Sequence, residues 1–301
     1  MQLTRIMSPL RRRVCLFSVT LSLVATIHST LALATTASGA TAAAAQVEKV
    51  SIESVKDQSI RCILSDVDGT LTFGHLHESR VADETVKSIK NAIDSGLLFF
   101  PATGRTRLSM NLVSKGAISS IFGGLTKTPG VYQQGLMVYG HDGQLIYERL
   151  LPLEIISKVS KFCEENDLSL LAYCGEEIYR KQPCKWTDLV ESYGDPKPHD
   201  FPQGLDQLHS QGIKTHKMIL MADDNWLQKI RPTLQKEIDG VASLTQAVPG
   251  MLEVLPYGSS KGDGVSKLLE HIGVSPANTV GKQCISTFSF ILFCVSFQHF
   301  P

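Results

Sequence analysis

From residue 60 onward the chain alternates short, continuously apolar runs with segments whose apolar residues recur every three to four positions. Few folds satisfy that rhythm. Apolar runs without polar alternation suit strands covered on both faces, and the helical segments between them supply the crossovers that parallel strands need. Residues 60–65 read as the first strand. Val86, Ile89 and Ile93 form the stripe of a helix with Asp83 as its candidate N-cap and Gly96 just past its end, and residues 97–102 read as a second strand. A further helix is expected over residues 106–121.

The rhythm then changes. Residues 131–139 and 144–150 flank Gly140-His141-Asp142-Gly143, a hairpin-turn composition. Residues 153–166 carry Ile156, Val159 and Phe162 on one helical stripe. Strands are expected at 168–173, 177–180, 217–222 and 241–246, a helix at 225–238, and a connection marked by Pro196, Pro198 and Pro202. The expectation is a doubly wound, mostly parallel α/β sheet with an inserted α+β unit over residues 152–249. The core would comprise 48–151 and 250–280, preceded by a leader over 1–47 and followed by an anomalous Phe-rich tail over 281–301.

The length of 301 residues agrees with two units at a prior of about 150 residues each. With 43% hydrophobic and 19% charged residues the chain is suited to a packed core and not to disorder. Its 29 Lys and Arg balance 29 Asp and Glu, so no nucleic-acid partner is expected. The balance hides a segregation: residues 1–47 contain Arg5, Arg11, Arg12 and Arg13 and no acid. A basic start, an apolar run over 14–27 and the small residues Ala32 and Ala34 have the layout of a cleaved signal peptide. The acid-free Ala, Thr, Ser and Gly stretch over 35–46 adds the look of a transit peptide, so plastid import and the secretory pathway are both open. No Asn-X-Ser/Thr site occurs, which leans toward the organelle. The apolar run is short for a span of about 20 residues, so no stable membrane span is expected once the leader is removed.

Of seven cysteines, Cys15 lies in the leader and Cys284 and Cys294 in the tail. Cys62, Cys163, Cys174 and Cys184 form no C-x-x-C pair and have no His at zinc spacing, so they read as buried or idle thiols.

The chemistry is concentrated in Ser65-Asp66-Val67-Asp68-Gly69-Thr70, directly after the first strand. In open α/β sheets ligands bind beyond the carboxyl ends of strands, and residues two apart share a face, so Asp66 and Asp68 can act on one small molecule. Gly69 permits a sharp exit turn. By itself an Asp-Gly turn closing a strand would look similar. Two further elements occur in order: Ala102-Thr103-Gly104-Arg105 after the second strand, and Lys261 opening a helix striped by Val265, Leu268 and Leu269. Thr103 could equally be the N-cap of the next helix.

This order resembles the haloacid dehalogenase-like superfamily of phosphohydrolases, specifically its Cof-type (subfamily IIB) branch, over residues 61–280. The resemblance implies a Rossmann-like core with an α+β cap that selects the substrate, a small phosphomonoester such as a sugar phosphate. It implies Asp66 as nucleophile forming an aspartyl-phosphate and Asp68 as general acid/base. Thr103 and Gly104 would bind the phosphoryl group and Lys261 would neutralise it. It also implies Mg²⁺, held by the Asp66 carboxylate and the Asp68 backbone carbonyl. A sugar phosphomutase of the same superfamily, a halide-releasing dehalogenase, and a non-catalytic phosphate-ligand binder are the competing readings. The T-G-R segment speaks against the first and Asp68 against the second.

Other residues have plainer readings. Gly258-Ser259-Ser260-Lys261-Gly262 formally fits G-x-S-x-G, but Lys261 already accounts for the segment. His75 and His77 read as a solvated turn, Asp223 and Asp224 as helix-cap residues. For Arg105 and Arg107, substrate contact and a helix surface are both open.

The sequence departs from the pattern after residue 280. A Gly-Asp motif and a second acid should complete the metal site, but Gly281-Lys282-Gln283-Cys284 stands there and no Asp or Glu follows Glu270. A strand is expected to begin at Asn278-Thr279-Val280, and the last core strand and final helix that should follow it are expected to be missing. Gly-Lys can be encoded by GGTAAG, which contains a splice-donor consensus, so residues 281–301 are expected to be translated intron or a similar gene-model error.

Overall fold

The computed structural model describes residues 59–74, 78–286 and 289–294. The leader, His75, His77 and the rest of the Phe-rich tail lie outside the described residues.

Strand β1 (Cys62–Ser65) leads into a two-stranded ribbon of β2 (Thr72–Phe73) and β3 (Arg80–Val81), then helix α1 (Asp83–Asp94) and strand β4 (Leu98–Pro101). β4 pairs parallel to β1, with Ser65 opposite Pro101. Alternate residues of these strands go to opposite faces. Cys62, Leu64 and Phe100 join one buried cluster with Val265, Leu268 and Leu269, while Phe99 joins another with Ile89, Met110 and Ile118. Both faces are therefore covered, which is why these strands are continuously apolar. The N-cap of α1 is Ala82, with no side-chain cap, and not Asp83. Asp83 and Glu84 occupy the first turn instead, where the helix dipole favours acids.

The expected helix over 106–121 is two helices, α2 (Arg107–Val113) and α3 (Ala117–Ile121). Lys115 (φ 50°) and Gly116 (φ 75°) sit in the left-handed region and stop the first one. The expected strand over 131–139 is likewise broken, by a tight turn at Gln133–Gly135, into β5 (Gly130–Tyr132) and β6 (Met137–Tyr139). With β7 (Leu145–Glu148) they form an antiparallel meander that meets the end of β4 through a bridge between Ala102 and Val131.

The inserted unit follows: α4 (Leu153–Glu165), β8 (Ser169–Cys174), β9 (Glu177–Arg180), α5 (Leu189–Ser192), β10 (His199–Asp200), β11 (Lys217–Met221), α6 (Asp224–Ile238), β12 (Ala242–Val248) and β13 (Met251–Pro256). Its sheet runs β10-β9-β8-β11-β13-β12. Helices α4 and α6 pack on the sheet through Val159, Phe162, Leu227 and Leu234 against Met218, Leu220 and Val254. The sheet thus continues past Pro249 to Pro256, because β13 pairs with both β11 and β12 and places Leu252 and Val254 in this unit's core.

Helix α7 (Lys261–Ile272) returns to the core and leads to β14 (Thr279–Ser286). β14 pairs parallel to β1, Ser65 opposite Lys282, and is the strand that the sequence opens at Asn278-Thr279-Val280. It satisfies the free edge of β1. β15 (Ser289–Cys294) adds antiparallel to β14. The fold is thus a mixed α/β core with parallel central strands and an α+β insertion. Among the described residues no helix is long and apolar enough to cross a membrane.

Candidate active site

The carboxyl ends of β1 and β4 lie side by side, and α7 begins against them. Asp66 is the first residue beyond β1, its amide donating to Lys282 O at 2.9 Å. Its Oδ1 accepts from the Val67 amide (2.9 Å) and from Lys261 Nζ (3.0 Å). Burial pushes the Asp66 carboxyl above the ordinary carboxylate range, and Lys261 opposes that rise. Val67 O then collects the amides of Thr70, Leu71 and Thr72, and Gly69 takes φ 66°, so the chain reverses tightly. This reversal leaves Asp68 half exposed beside the strand end.

Lys261 is held by the start of α7, where the Ser260 hydroxyl caps the helix by accepting from the Asp263 amide at 3.1 Å. Ser260 is thus committed to capping, which removes the serine-hydrolase reading of this segment. The glycines of α7 let it come close: a Cβ on Gly264 would lie 2.7 Å from Gly135 Cα, and one on Gly135 would lie 2.1 Å from Ser260 O.

Thr103 is buried just beyond β4, its amide bonded to Val131 O and its carbonyl accepting from the Gln134 amide. Its hydroxyl accepts from the Arg105 amide at 3.2 Å. The helix N-cap is Thr106, which accepts from the Ser109 amide, and not Thr103. The structure therefore joins Asp66 directly to Lys261 and sets Thr103 and Gly104 at the neighbouring strand end, without a hydrogen bond from Thr103 to either of them.

Asp68 is engaged by a residue whose role the sequence left open. Arg105 Nε donates to Asp68 Oδ2 at 2.8 Å and to Oδ1 at 3.0 Å. Its Nη1 reaches Tyr193 O (2.8 Å) and Ser109 Oγ (3.0 Å) and lies 3.8 Å from Asp195. Arg107 stacks over the Tyr139 ring at 3.8 Å and faces Glu176 of the insertion at 3.6 Å. Lys217, 3% exposed, sends its Nζ to Gly104 O (3.2 Å) and Glu253 (3.3 Å). Lys217 left no motif in the sequence; Arg105 stands within T-G-R.

The remaining candidates separate cleanly. Asp223 caps α6, accepting from the Asn225 and Trp226 amides, and Asp224 accepts from the Gly250 amide. Cys62, Cys163 and Cys174 are buried and free, and burial pushes the Cys62 and Cys174 thiols up to about 12. Cys184 is free and partly buried: burial raises its thiol, but bonds with Ser169 and Thr187 outweigh that and bring it below the usual value.

A sequence model of haloacid dehalogenase-like hydrolases matches residues 63–281, and the chain belongs to that family. An Arabidopsis thaliana protein named endoribonuclease YBEY, chloroplastic, is 31% identical over 217 residues, covering 71% of this chain and 36% of its own length. The chain thus spans little more than a third of that relative, and the relative's name carries no activity over. An HMP-PP phosphatase of Yersinia pseudotuberculosis is 26% identical over 216 residues, covering 71% of this chain and 73% of its own. Among solved structures, a Plasmodium vivax protein described as HAD/COF-like superposes with a TM-score of 0.65 at 22% identity, over 76% of this chain and 79% of its own.

Proposed function

We propose that the protein is a Mg²⁺-dependent phosphatase acting on a small phosphomonoester of the sugar-phosphate kind. The observation that carries this reading is the 3.0 Å contact between Lys261 Nζ and Asp66 Oδ1. A largely buried carboxylate beside a strand end, bonded by one ammonium, is suited to nucleophilic attack on phosphorus. Asp66 attacks and forms an aspartyl-phosphate while Asp68 donates a proton to the departing ester oxygen. Asp68 then takes a proton from water, which attacks the aspartyl-phosphate, frees inorganic phosphate and restores Asp66. The Thr103 hydroxyl and the Gly104 backbone bind phosphoryl oxygens, and Lys261 offsets their charge. The phosphatase name of the Yersinia relative supports the same reaction class.

The residues fit a hard cation. Asp66 Oδ1 takes the Val67 amide and Lys261, and Oδ2 is the oxygen these contacts do not use. With the Asp68 carbonyl it makes a sparse oxygen set, which suits Mg²⁺ because that ion keeps waters and draws other ligands from substrate phosphate. Bound there, the ion would supply positive charge to the phosphoryl oxygens. Among the described residues no third acidic ligand joins the pair.

A second reading, a non-catalytic binder of phosphate ligands, is favoured by one observation: β14 brings Lys282, and no acid, alongside Asp66. Hydrolysis of p-nitrophenyl phosphate with and without Mg²⁺, by the parent and by Asp66→Asn, separates the two. Mg²⁺-dependent turnover lost in the variant supports the phosphatase; no turnover by a folded parent supports the binder. The acid-free leader and the chloroplastic name of the Arabidopsis relative favour a plastid destination over secretion.

A further inference from the structure

Between β5 and β6 two consecutive non-glycine residues lie in the left-handed region, Gln133 (φ 51°) and Gln134 (φ 58°, ψ 32°). Both are strained relative to ordinary backbone, and such strain persists where surrounding structure enforces it. The enforcement is visible. Gly135 is pressed against Ser260 at the start of α7, the Gln133 amide donates to Arg105 O at 2.9 Å, and the Gln134 amide donates to Thr103 O at 3.3 Å. The turn is therefore wedged between the Thr103 loop and the helix that carries Lys261.

The two side chains fare differently. Gln133 is buried, and its Nε2 donates to Gly175 O of the insertion at 2.6 Å, which accounts for its presence. Gln134 is half-buried, and its side-chain amide makes no hydrogen bond among the described residues. It lies directly over the phosphate loop: a Cβ on Gly104 would stand 2.7 Å from Gln134 Nε2 and 3.4 Å from its Oε1. A donor and an acceptor, both unused, are thus held by a strained backbone beside Thr103 and Gly104.

We infer that Gln134 contacts the substrate and selects phosphomonoesters whose leaving group carries a hydroxyl near the ester oxygen. The inference rests on the phosphatase reading. Phosphoryl oxygens only accept hydrogen bonds, so they would satisfy Nε2 and repel Oε1. A hydroxyl both donates and accepts and satisfies both ends of the amide. Polyol and sugar phosphates carry such a group, and simple aryl phosphates do not. An enzyme built to bond a substrate hydroxyl discriminates against analogues that lack it, because its own polar group is then left unpaired.

The test compares the parent with Gln134→Gly, a substitution that suits the left-handed backbone. The substrates are glucose 6-phosphate, ribose 5-phosphate, glycerol 3-phosphate and phenyl phosphate. The expected result is a roughly 10- to 100-fold loss of kcat/KM on the preferred hydroxylated ester, a change within about threefold on phenyl phosphate, and a melting temperature equal to or above the parent's. Equal losses on all esters, or a lower melting temperature that accompanies the loss, would make Gln134 a structural prop and overturn the inference. A parent that prefers phenyl phosphate overturns it as well. A folded parent inert toward all of these esters overturns the phosphatase reading itself.

Discussion

Arg105 holds the Asp68 carboxylate through Nε, at 2.8 and 3.0 Å, while its Nη1 holds Tyr193 O of the insertion at 2.8 Å. One guanidinium thus ties the candidate acid/base to the unit that covers the site. Asp195, beside Tyr193, is fixed in turn by the Tyr173 hydroxyl at 2.9 Å. Arg105→Lys keeps the charge but cannot hold both partners, because an ammonium has no planar fork. Since Asp68 is half exposed, the expected loss of kcat/KM is modest, about tenfold. It should be accompanied by faster amide hydrogen exchange over residues 193–195. Unchanged kinetics with unchanged exchange would show that the fork carries no coupling.

Asp66→Asn removes the proposed nucleophile and should leave no turnover above background on any ester. Asp68→Asn should lower turnover by about 10²- to 10⁴-fold on an alkyl phosphate. The loss on p-nitrophenyl phosphate should be smaller in the phosphorylation step, because p-nitrophenolate departs without a proton. Rapid-mixing measurement of p-nitrophenolate release checks this. Equal losses on both esters in that step would remove Asp68 from the acid role.

His216 gives the docking of the insertion a pH dependence. Its Nδ1 accepts from the Gly175 amide at 3.0 Å, so Nδ1 carries no proton, and its Nε2 donates to Glu148 Oε1 at 3.1 Å. The ring is neutral, and burial holds its pKa below the ordinary value. Glu148 also accepts from Lys214 at 2.8 Å, and although its partial burial pushes the other way, these bonds keep its carboxyl below the usual range. A depressed histidine means that the unfolded chain binds a proton the folded chain refuses, so stability is present above about pH 6.5 and falls as the pH drops below it. The melting temperature should decline between pH 7.5 and 5.5. His216→Asn retains an acceptor for the Gly175 amide and should flatten that slope; an identical slope in the variant would acquit His216.

Gly135 and Gly96 both adopt φ 90°, but their surroundings differ. A Cβ at Gly96 meets nothing within 4 Å, whereas at Gly135 it would lie 2.1 Å from Ser260 O. Gly96→Ala should cost only the left-handed backbone term, about 1–2 kcal/mol. Gly135→Ala should cost that plus the displacement of Ser260 and Lys261, and should abolish phosphatase activity. Comparable melting temperatures for the two variants would contradict the close approach of the turn to α7.

Much of the site was legible because it depends on short stretches of chain. Asp66, Asp68 and Gly69 follow one apolar strand, Thr103 and Gly104 follow the next, and Lys261 opens an amphipathic helix. Each can be placed at the same end of a parallel sheet from local pattern alone. What escaped depends on pairing across the chain. Thr106 displaces Thr103 as cap because the chain first turns to pass Val131. Residues 251–256 looked like returning core but close the insertion's sheet, a choice made by β11 and β12. The strand opening at Thr279 was legible, but its run to Ser286 depends on pairing with β1 and β15. Arg105 reaches Tyr193, and Lys217 reaches Gly104, only because the insertion sits on the core.

The separation of 195 positions between Asp66 and Lys261 has a consequence for how the protein is made. As synthesis proceeds from the amino end, both aspartates and the Thr103 loop emerge early, with the whole insertion still to come. Until that unit has emerged and α7 has packed against the Gln133–Gly135 turn, Asp66 is a carboxylate without its cation. On the proposed reaction, turnover therefore reports completed assembly: a nascent or partly folded chain would own the proposed nucleophile yet stay silent until the insertion is in place.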